Sequence, residues 1–458
     1  MKKFALSHIK NVHFTGIGGI SMSGLSEILH NLGMTITGSD VKESEMITHL
    51  EEIGIKVSIG HNYENVPDNC ELLVYTSAVK ADNPELLAAR EKDIEIMERA
   101  TLLGLIMQIY DYSVAVAGAH GKTTTTCMIS DMLLSLGKDP SVSVGGILNS
   151  TNSNFRLGKS EYFVTEACEY CDNFLRFFPH VGIILNIEHD HADYFENILQ
   201  MENSFNKFAK NIPPNGALII NKNIKNYDKI IEGLYCTVFS YGLNCGDFYA
   251  DNIKYDEFSH PSFDIYQNGQ FLLHADLNVC GEHNIENALC ACATGVYLGL
   301  SPEEIEKGLK AFTGSKRRFE FKGEFNGVRV YDDYAHHPTE IMATLETLKK
   351  MNYNKLHCVF QPHTYSRTKA LMDEFASSFE LADTVVILDI FSARETESNG
   401  VSSVELYDKI KTKGKNVHYF KTFKEAEDFF KEISVKNDML ITLGAGDVYL
   451  IADNLVLS

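Results

Sequence analysis

The chain has 458 residues, more than a single hydrophobic core serves, so two to four domains of ordinary size are expected. Sixty-two Asp and Glu against 41 Lys and Arg give a net charge of −21, which argues against non-specific binding to nucleic acid or an anionic membrane and requires local positive charge wherever an anion is held. No apolar run approaches the roughly eighteen residues that span a bilayer, Met1-Lys-Lys-Phe-Ala-Leu-Ser-His carries no cleavable apolar region, and the ten cysteines are scattered in mostly apolar segments such as Cys290-Ala-Cys292, so a cytoplasmic protein with reduced thiols is expected.

The first segment, residues 1–105, alternates short β runs (Val12-His-Phe-Thr, Met34-Thr-Ile-Thr, Leu72-Leu-Val-Tyr-Thr) with helices predicted near Ser21, Glu45 and Pro84, the grammar of a parallel α/β fold. After its first strand comes Gly16-Ile-Gly18-Gly19, and Gly38-Ser39-Asp40 closes the next. A glycine turn into a helix suits the diphosphate of a nucleotide. The third glycine of a dinucleotide fingerprint is displaced to Gly24, with Ser21 in its place, so a nicotinamide dinucleotide and a turn that binds nothing both stay open.

The second segment, residues 106–318, opens with Val114-Ala-Val-Ala-Gly118-Ala119-His120-Gly121-Lys122-Thr123-Thr124-Thr-Thr, an apolar strand, a glycine turn, a lysine and a run of hydroxyls that starts a helix. Backbone N–H groups of such a loop close around phosphate oxygens, Lys122 reaches the terminal phosphates, and Thr123 or Thr124 can hold Mg²⁺; ATP is the expected ligand. Val116 stands where the usual phosphate loop has its first glycine, so this is the shorter variant. Two further strands end in Glu166 and in Asn186-Ile-Glu188-His189-Asp190-His191. Both strands are expected beside the loop strand, which would bring Glu166 and His191 to the metal side of Lys122. A rival reading joins Cys168 and Cys171 with His189 and His191 as a zinc site. β-hairpin segments follow between Asp264 and Val279, and then two helices, Asn284–Leu300 and Pro302–Phe312. Asn284 and Asn287, one turn apart at a helix start, either cap the helix or face a base or ribose. Lys316-Arg317-Arg318 gathers positive charge at the junction with the last segment, as a phosphate contact or as a charged hinge.

The third segment, residues 319–458, returns to alternation, with strands expected at Val328–Tyr331, Leu356–Phe360, Thr384–Leu388 and Met439–Leu443. Asp332-Asp333-Tyr-Ala-His336-His337-Pro338, Gln361-Pro-His363-Thr-Tyr-Ser-Arg367 and Gly444-Ala-Gly446-Asp447 each follow a strand and are expected to line one pocket wall.

Taken in order, Gly-Ile-Gly-Gly, Gly-Ala-His-Gly-Lys-Thr-Thr-Thr, Asn-Ile-Glu-x-Asp-His, His-Asn-x-x-Asn, Arg-Arg-Phe, Asp-Asp-Tyr-Ala-His-His-Pro-Thr-Glu and Gly-Ala-Gly-Asp resemble the Mur ligases from about Asn11 to Val448. The resemblance implies three α/β domains: an N-terminal Rossmann-like domain for a UDP-sugar, a central P-loop ATPase-like domain, and a C-terminal Rossmann-like domain that carries the acceptor and closes over ATP. Within the family it implies the alanine-adding branch of peptidoglycan synthesis, in which L-alanine is joined to the lactyl carboxylate of UDP-N-acetylmuramate while ATP is split to ADP and phosphate. Carried over by position, Gly16, Gly18, Gly19, Ser39, Asp40, Thr76 and Ser77 would serve the UDP-sugar. Gly118 to Thr124, Asn284, Asn287, Arg318 and Asp333 would serve ATP, and Thr123, Thr124, Glu166 and His191 the Mg²⁺. Lys122, Glu166, His191, Arg318 and Asp333 form the implied catalytic set, and His337, His363 and Arg367 the acceptor side. Cys168, Tyr170 and Cys171 depart from the family's Glu-Ala-Asp-Glu-Ser-Asp, although Glu166 and Glu169 keep their places. The implied partners are small molecules, with neither nucleic acid nor membrane, and the protein is expected as a monomer or homodimer.

The chemistry is consistent with that set. A carboxylate is a poor acyl donor, so the γ-phosphoryl must first move onto it to give an acyl phosphate, which a neutral amine then attacks. His336, His337 and His363 are candidates to accept the amine's proton. A ligase that attaches a tripeptide to the same nucleotide sugar, and a nucleotide-binding regulator without catalysis, are the competing readings.

Overall fold

The structure, a computed structural model, describes residues 5–458 except 77, 152, 189–193, 257, 394, 396 and 399. The described residues form three sheets. The first has five parallel strands in the spatial order Lys56–Ile59, Thr35–Asp40, Asn11–Thr15, Leu72–Tyr75, Glu95–Glu98. The strand Asn11–Thr15 therefore lies between Thr35–Asp40 and Leu72–Tyr75, and the turn that follows it opens at the carboxyl edge where the chain order reverses, the usual ligand position of such sheets.

The second sheet has ten strands. Its parallel centre sets Tyr112–Ala117 between Tyr162–Glu166 and Val181–Ile184, pairing Val116 with Glu166 and Ala117 with Ile184. These strands are buried on both faces and so read as nearly continuous apolar runs. The register carries Glu166 and the residues after Ile184 to the same edge as the glycine turn. The expected hairpin is formed by Pro261–Gln267 and Gln270–Asp276, and the two helices after it are Glu282–Tyr297 and Pro302–Ala311. The second of these helices starts with a capping box between Ser301 and Glu304.

The third sheet has six strands in the order Glu320–Phe325, Val328–Asp333, Met439–Leu443, Leu356–Phe360, Thr384–Ile387, Val417–Tyr419, and only the first is antiparallel to its neighbour.

The first two sheets belong to one compact unit, residues 1–253, 262–276 and 282–312; residues 313–458 with 254–261 and 277–281 form a second. Within the first unit, glycines let helices approach closely. A Cβ at Gly24, in helix Ile20–Asn31, would overlap the ring of Phe155, and one at Gly104, in helix Arg99–Met107, would overlap the carbonyl of Arg176. Arg99 also donates to Ser21 Oγ at 3.0 Å, and Arg176 pairs with Glu98. The strands that sequence patterning did not anticipate, such as Lys56–Ile59 and Glu95–Glu98, are short edge strands with charged residues. Such a composition reads as loop until a neighbouring strand supplies hydrogen bonds.

Candidate active site

The turn after Tyr112–Ala117 is built on two glycines with positive φ, Gly118 at 144° and Gly121 at 81°, and Gly121 is the N-cap of helix Lys122–Ser135. Space is as restrictive as backbone angle. A Cβ at Gly118 would lie 3.1 Å from Leu185, and one at Gly121 would lie 3.2 Å from Asn287 Oδ1. Asn186 holds the turn from the adjacent strand: its Oδ1 accepts from His120 N at 2.9 Å and its Nδ2 donates to His120 O at 3.0 Å. His120 Nε2 lies 3.4 Å from Glu188. The Lys122 ammonium folds back over the loop, donating to the carbonyls of Gly118 and Ala119 and pairing with the buried Glu169 carboxylate at 3.1 Å. A loop that presents N–H groups, a helix N-terminus and a lysine whose donors rest on its own carbonyls is suited to a polyphosphate, whose oxygens are stronger acceptors than those carbonyls.

Beside this loop, Glu166 accepts from Gly145 N at 2.7 Å. A Cβ at Gly146 would stand 2.7 Å from Thr123 Cγ2, so Thr123 and Glu166 border the same glycine pair. A hydroxyl and a carboxylate are oxygen donors of the kind Mg²⁺ prefers, and these residues fit that ion. His189 and His191 lie outside the described residues, and no cluster of three or more His, Cys, Asp or Glu suited to a metal occurs among the described ones. None of the ten cysteines is in a disulfide, and Cys168 and Cys171 are exposed. Asn284 and Asn287 are both buried; Asn287 donates to Asn284 Oδ1 at 2.9 Å and accepts from Thr125 Oγ1 at 3.0 Å. The two amides thus tie helix Glu282–Tyr297 to the helix of the phosphate loop.

In the first sheet, Gly16 N and Ile17 N both donate to Ser39 O, at 2.8 and 2.9 Å, and Gly18 N donates to Asp40 Oδ2 at 2.9 Å. Gly38 is required by this proximity, because a Cβ there would lie 2.6 Å from Ile17 Cδ1. Ser39 is fully buried with its hydroxyl engaged by Glu85 and His61, so its side chain acts from behind the turn. Thr76 lies against the turn, 3.5 Å from where a Gly16 Cβ would be; Ser77 is outside the described residues.

In the third sheet, Asp333 is buried and accepts from Thr344 Oγ1 at 2.7 Å and Ala335 N at 3.2 Å. Burial pushes its carboxyl up to about 6, against the opposing effects of Thr344 and the Arg318 charge. Arg318 lies 5.1 Å from the Tyr334 ring centre, and Arg317 pairs with Asp332 at 3.1 Å while donating to Gly444 O. His337 is the N-cap of helix Pro338–Lys349, in a capping box with Glu340. Burial drives His363 down to about 4, reinforced by His336 and Arg367, whose Nη1 is 3.3 Å from His363 Nδ1. His336 Nδ1 lies 2.9 Å from Tyr334 O, a carbonyl that can only accept, so that nitrogen carries the proton and Nε2 keeps its lone pair. The His336 and His363 rings stand 5.8 Å apart, with Arg367 beside His363, while His337, of the expected acceptor side, caps its helix.

The sequence matches the Mur ligase family, catalytic domain over residues 11–111, the Mur ligase middle domain over 116–295 and the Mur ligase, glutamate ligase domain over 317–446. The chain belongs to the Mur ligase family. It is similar to the UDP-N-acetylmuramate–L-alanine ligases of Agathobacter rectalis, 49% identical over 457 residues and 100% of both chains, and Clostridium acetobutylicum, 47% identical over 97% of each. Among solved structures it resembles the UDP-N-acetylmuramate-alanine ligase of Thermotoga maritima with a TM-score of 0.80 and 29% identity, covering 98% of this chain and 99% of that one. For this Mur ligase, the residues that sequence reading did not single out as site residues are Asn186 as the clamp on the loop, the Gly145-Gly146 pair, and Glu85 with His61 behind the first turn. Two glycines inside an otherwise apolar strand pattern were the available signal for Gly145-Gly146.

Proposed function

We propose that this Mur ligase joins L-alanine to the carboxylate of UDP-N-acetylmuramate, splitting ATP to ADP and phosphate in peptidoglycan synthesis. The observation that carries the reading is end-to-end similarity to ligases of that name, together with the Gly118–Lys122 loop built as a polyphosphate cradle. The assignment of individual residues is supported by their geometry and by position in the family pattern. Gly16, Gly18, Gly19, Asp40 and Thr76 serve the UDP part, with Ser39 acting from behind. Gly118 to Thr124 bind the ATP phosphates and Asn284 and Asn287 brace that loop, while Arg318 and Asp333 are assigned to the nucleotide by their position in the family pattern alone. Thr123 and Glu166 are the described residues suited to Mg²⁺, which would supply charge neutralisation on the terminal phosphates; Thr124 and His191 are the remaining candidates.

In the reaction the carboxylate attacks the γ-phosphorus and ADP leaves, giving an acyl phosphate. Lys122 turns from its own loop carbonyls to the transferring oxygens, where growing negative charge gives it a stronger partner. The amine of L-alanine attacks the acyl carbon and expels phosphate, and its proton needs an acceptor. Of the three histidines, His336 has the arrangement of a base: one nitrogen is fixed as a donor and the other is an acceptor. His337 is occupied in capping, and Arg367 stands against one nitrogen of His363; burial lowers the basicity of both His336 and His363, the latter to about 4.

The test is phosphate release from Mg-ATP with UDP-N-acetylmuramate, comparing L-alanine, glycine, L-serine and the L-Ala-γ-D-Glu-diaminopimelate tripeptide, with product masses. Release and a matching mass with L-alanine support the assignment. Turnover with the tripeptide alone moves the protein to the tripeptide-adding reaction, and silence with every acceptor favours a regulator.

A further inference from the structure

At the carboxyl edge of the third sheet, Thr364 stands in a backbone conformation that its side chain opposes. Its φ is 68° and its ψ 143°, a region that glycine enters freely and that a residue branched at Cβ avoids. It lies between His363 and the helix Tyr365–Ala370, which carries Arg367. A conformation of this kind persists only where its surroundings over-determine it.

The loop after the neighbouring strand Thr384–Ile387 supplies those surroundings. Thr364 N donates to Phe391 O at 2.9 Å and Phe391 N donates to Pro362 O at 2.8 Å, a bridge that stacks the Phe391 ring on that of His363 with centres 5.6 Å apart. Further along that loop, the Glu395 carboxylate takes both N–H groups that follow the strained residue, Tyr365 N at 2.6 Å and Ser366 N at 3.1 Å, and also the Ser366 hydroxyl. Burial opposes the charge of Glu395, but the bonds from Ser366 and Tyr365 outweigh it and hold the carboxyl below its usual range. On the helix side, Thr364 O accepts from Thr368 Oγ1 at 2.7 Å and from Thr368 N at 3.2 Å. Thr364 is gripped from both sides, and of these contacts only that of Glu395 supplies a charge.

The turn also decides where Arg367 lies. Its N donates to Thr364 Oγ1 at 3.4 Å, and its Nη1 is 3.3 Å from His363 Nδ1. Burial drives His363 down to about 4, so this ring nitrogen is a neutral acceptor and leaves the guanidinium charge uncompensated. A planar fork of donors with its charge available suits a carboxylate. Relaxation of Thr364 to an ordinary backbone angle would swing the first helical turn and carry Arg367 away from His363.

We propose that Glu395 is a positioning residue for the amino-acid acceptor: it holds the strained Thr364 turn, and the turn sets the Arg367 guanidinium where it receives the acceptor's α-carboxylate. The proposal rests on the reading of L-alanine as the acceptor and of His363 and Arg367 as its side of the site. Glu395 acts through the Thr364 backbone and not on the substrate.

The test is steady-state kinetics of the full chain with Mg-ATP and UDP-N-acetylmuramate, L-alanine being varied. Glu395→Ala is expected to raise KM for L-alanine about tenfold or more, with kcat changed by less than about threefold and KM for the other two substrates unchanged, the pattern of lost binding rather than lost chemistry. Glu395→Gln, which keeps the volume and one acceptor oxygen, is expected to act in the same direction by less, and it keeps the experiment decisive if the alanine variant does not fold. Thr364→Gly removes the strain, so adding it to Glu395→Ala is expected to lower KM for L-alanine again by about threefold or more. A general loss of structure would not be repaired by a change that loosens the chain. A fall in kcat at unchanged KM for L-alanine, an equal rise in KM for all three substrates, or a double variant no better than Glu395→Ala overturns the proposal. Arg367→Lys tests the reading beneath it. An unchanged KM for L-alanine in that variant removes Arg367 from the acceptor side, whereas a raised KM there beside a native-like Glu395→Ala keeps the acceptor side and overturns the role of Glu395 alone.

Discussion

Lys122 makes contacts that a bound triphosphate would replace: two loop carbonyls and Glu169. Replacing it with alanine leaves the glycine turn intact, since Asn186 and the Gly118 and Gly121 conformations hold the loop without it. Lys122→Ala is expected to lower turnover by about 10³-fold or more while UDP-N-acetylmuramate affinity is retained, measured by phosphate release and by calorimetry. Loss of both would mean that the two nucleotides do not occupy separate sheets. For His336→Gln the expected deficit is about 10²-fold in kcat near neutral pH, and it should shrink as pH rises toward the pKa of the amine, because free base then supplies what the histidine removed. A deficit constant with pH would remove His336 from proton transfer. Asp333 offers a stability test. Its carboxyl is raised from 3.8 to about 6 by burial, so the folded chain holds this proton more tightly than the unfolded chain. The penalty is absent below pH 4 and grows as pH rises through 6, to an upper bound of about 3 kcal/mol. Asp333→Asn is therefore expected to gain stability relative to the native protein between pH 4 and 7 in urea unfolding, and an unchanged difference across that range would contradict the burial account.

At the scale of elements, close approach through glycine is the device that joins the first two sheets. Gly24→Ala drives a methyl group into the Phe155 ring, an overpacking expected to cost about 1–3 kcal/mol. Because the obstacle is a side chain, Phe155→Leu should recover part of the loss, and the double-mutant cycle should give a coupling of at least about 0.5 kcal/mol. Strict additivity would show that the contact is not what limits the site. The obstacle at Gly104 is a backbone carbonyl, so no such rescue is available there.

For the whole molecule, the net charge of −21 gives anionic substrates no general attraction, and their recognition must be local. Hydrogen exchange is expected to locate it. UDP should slow exchange around Gly16–Gly19, Ser39 and His61, and Mg-ATP around Gly118–Thr124 and Gly145-Gly146, each at saturating ligand. Protection of one region by both ligands would contradict the division of labour. Much of this was legible in the amino-acid sequence. Glycine turns after apolar strands are local features, because the backbone angles of Gly118 and Gly121 and the lysine that follows are set by a few consecutive residues, and the parallel α/β class follows from the alternation of strand and helix periods. The tertiary structure alone decided which distant residues complete each site. Asn186 reaches His120 only because Val181–Ile184 pairs beside the loop strand, and Glu85 meets Ser39 and His61 only because three separate crossovers return to one sheet edge. Hydrogen bonds act over about 3 Å in space, while the residues they join here stand 22 to 66 positions apart in the chain, a separation that no local pattern encodes.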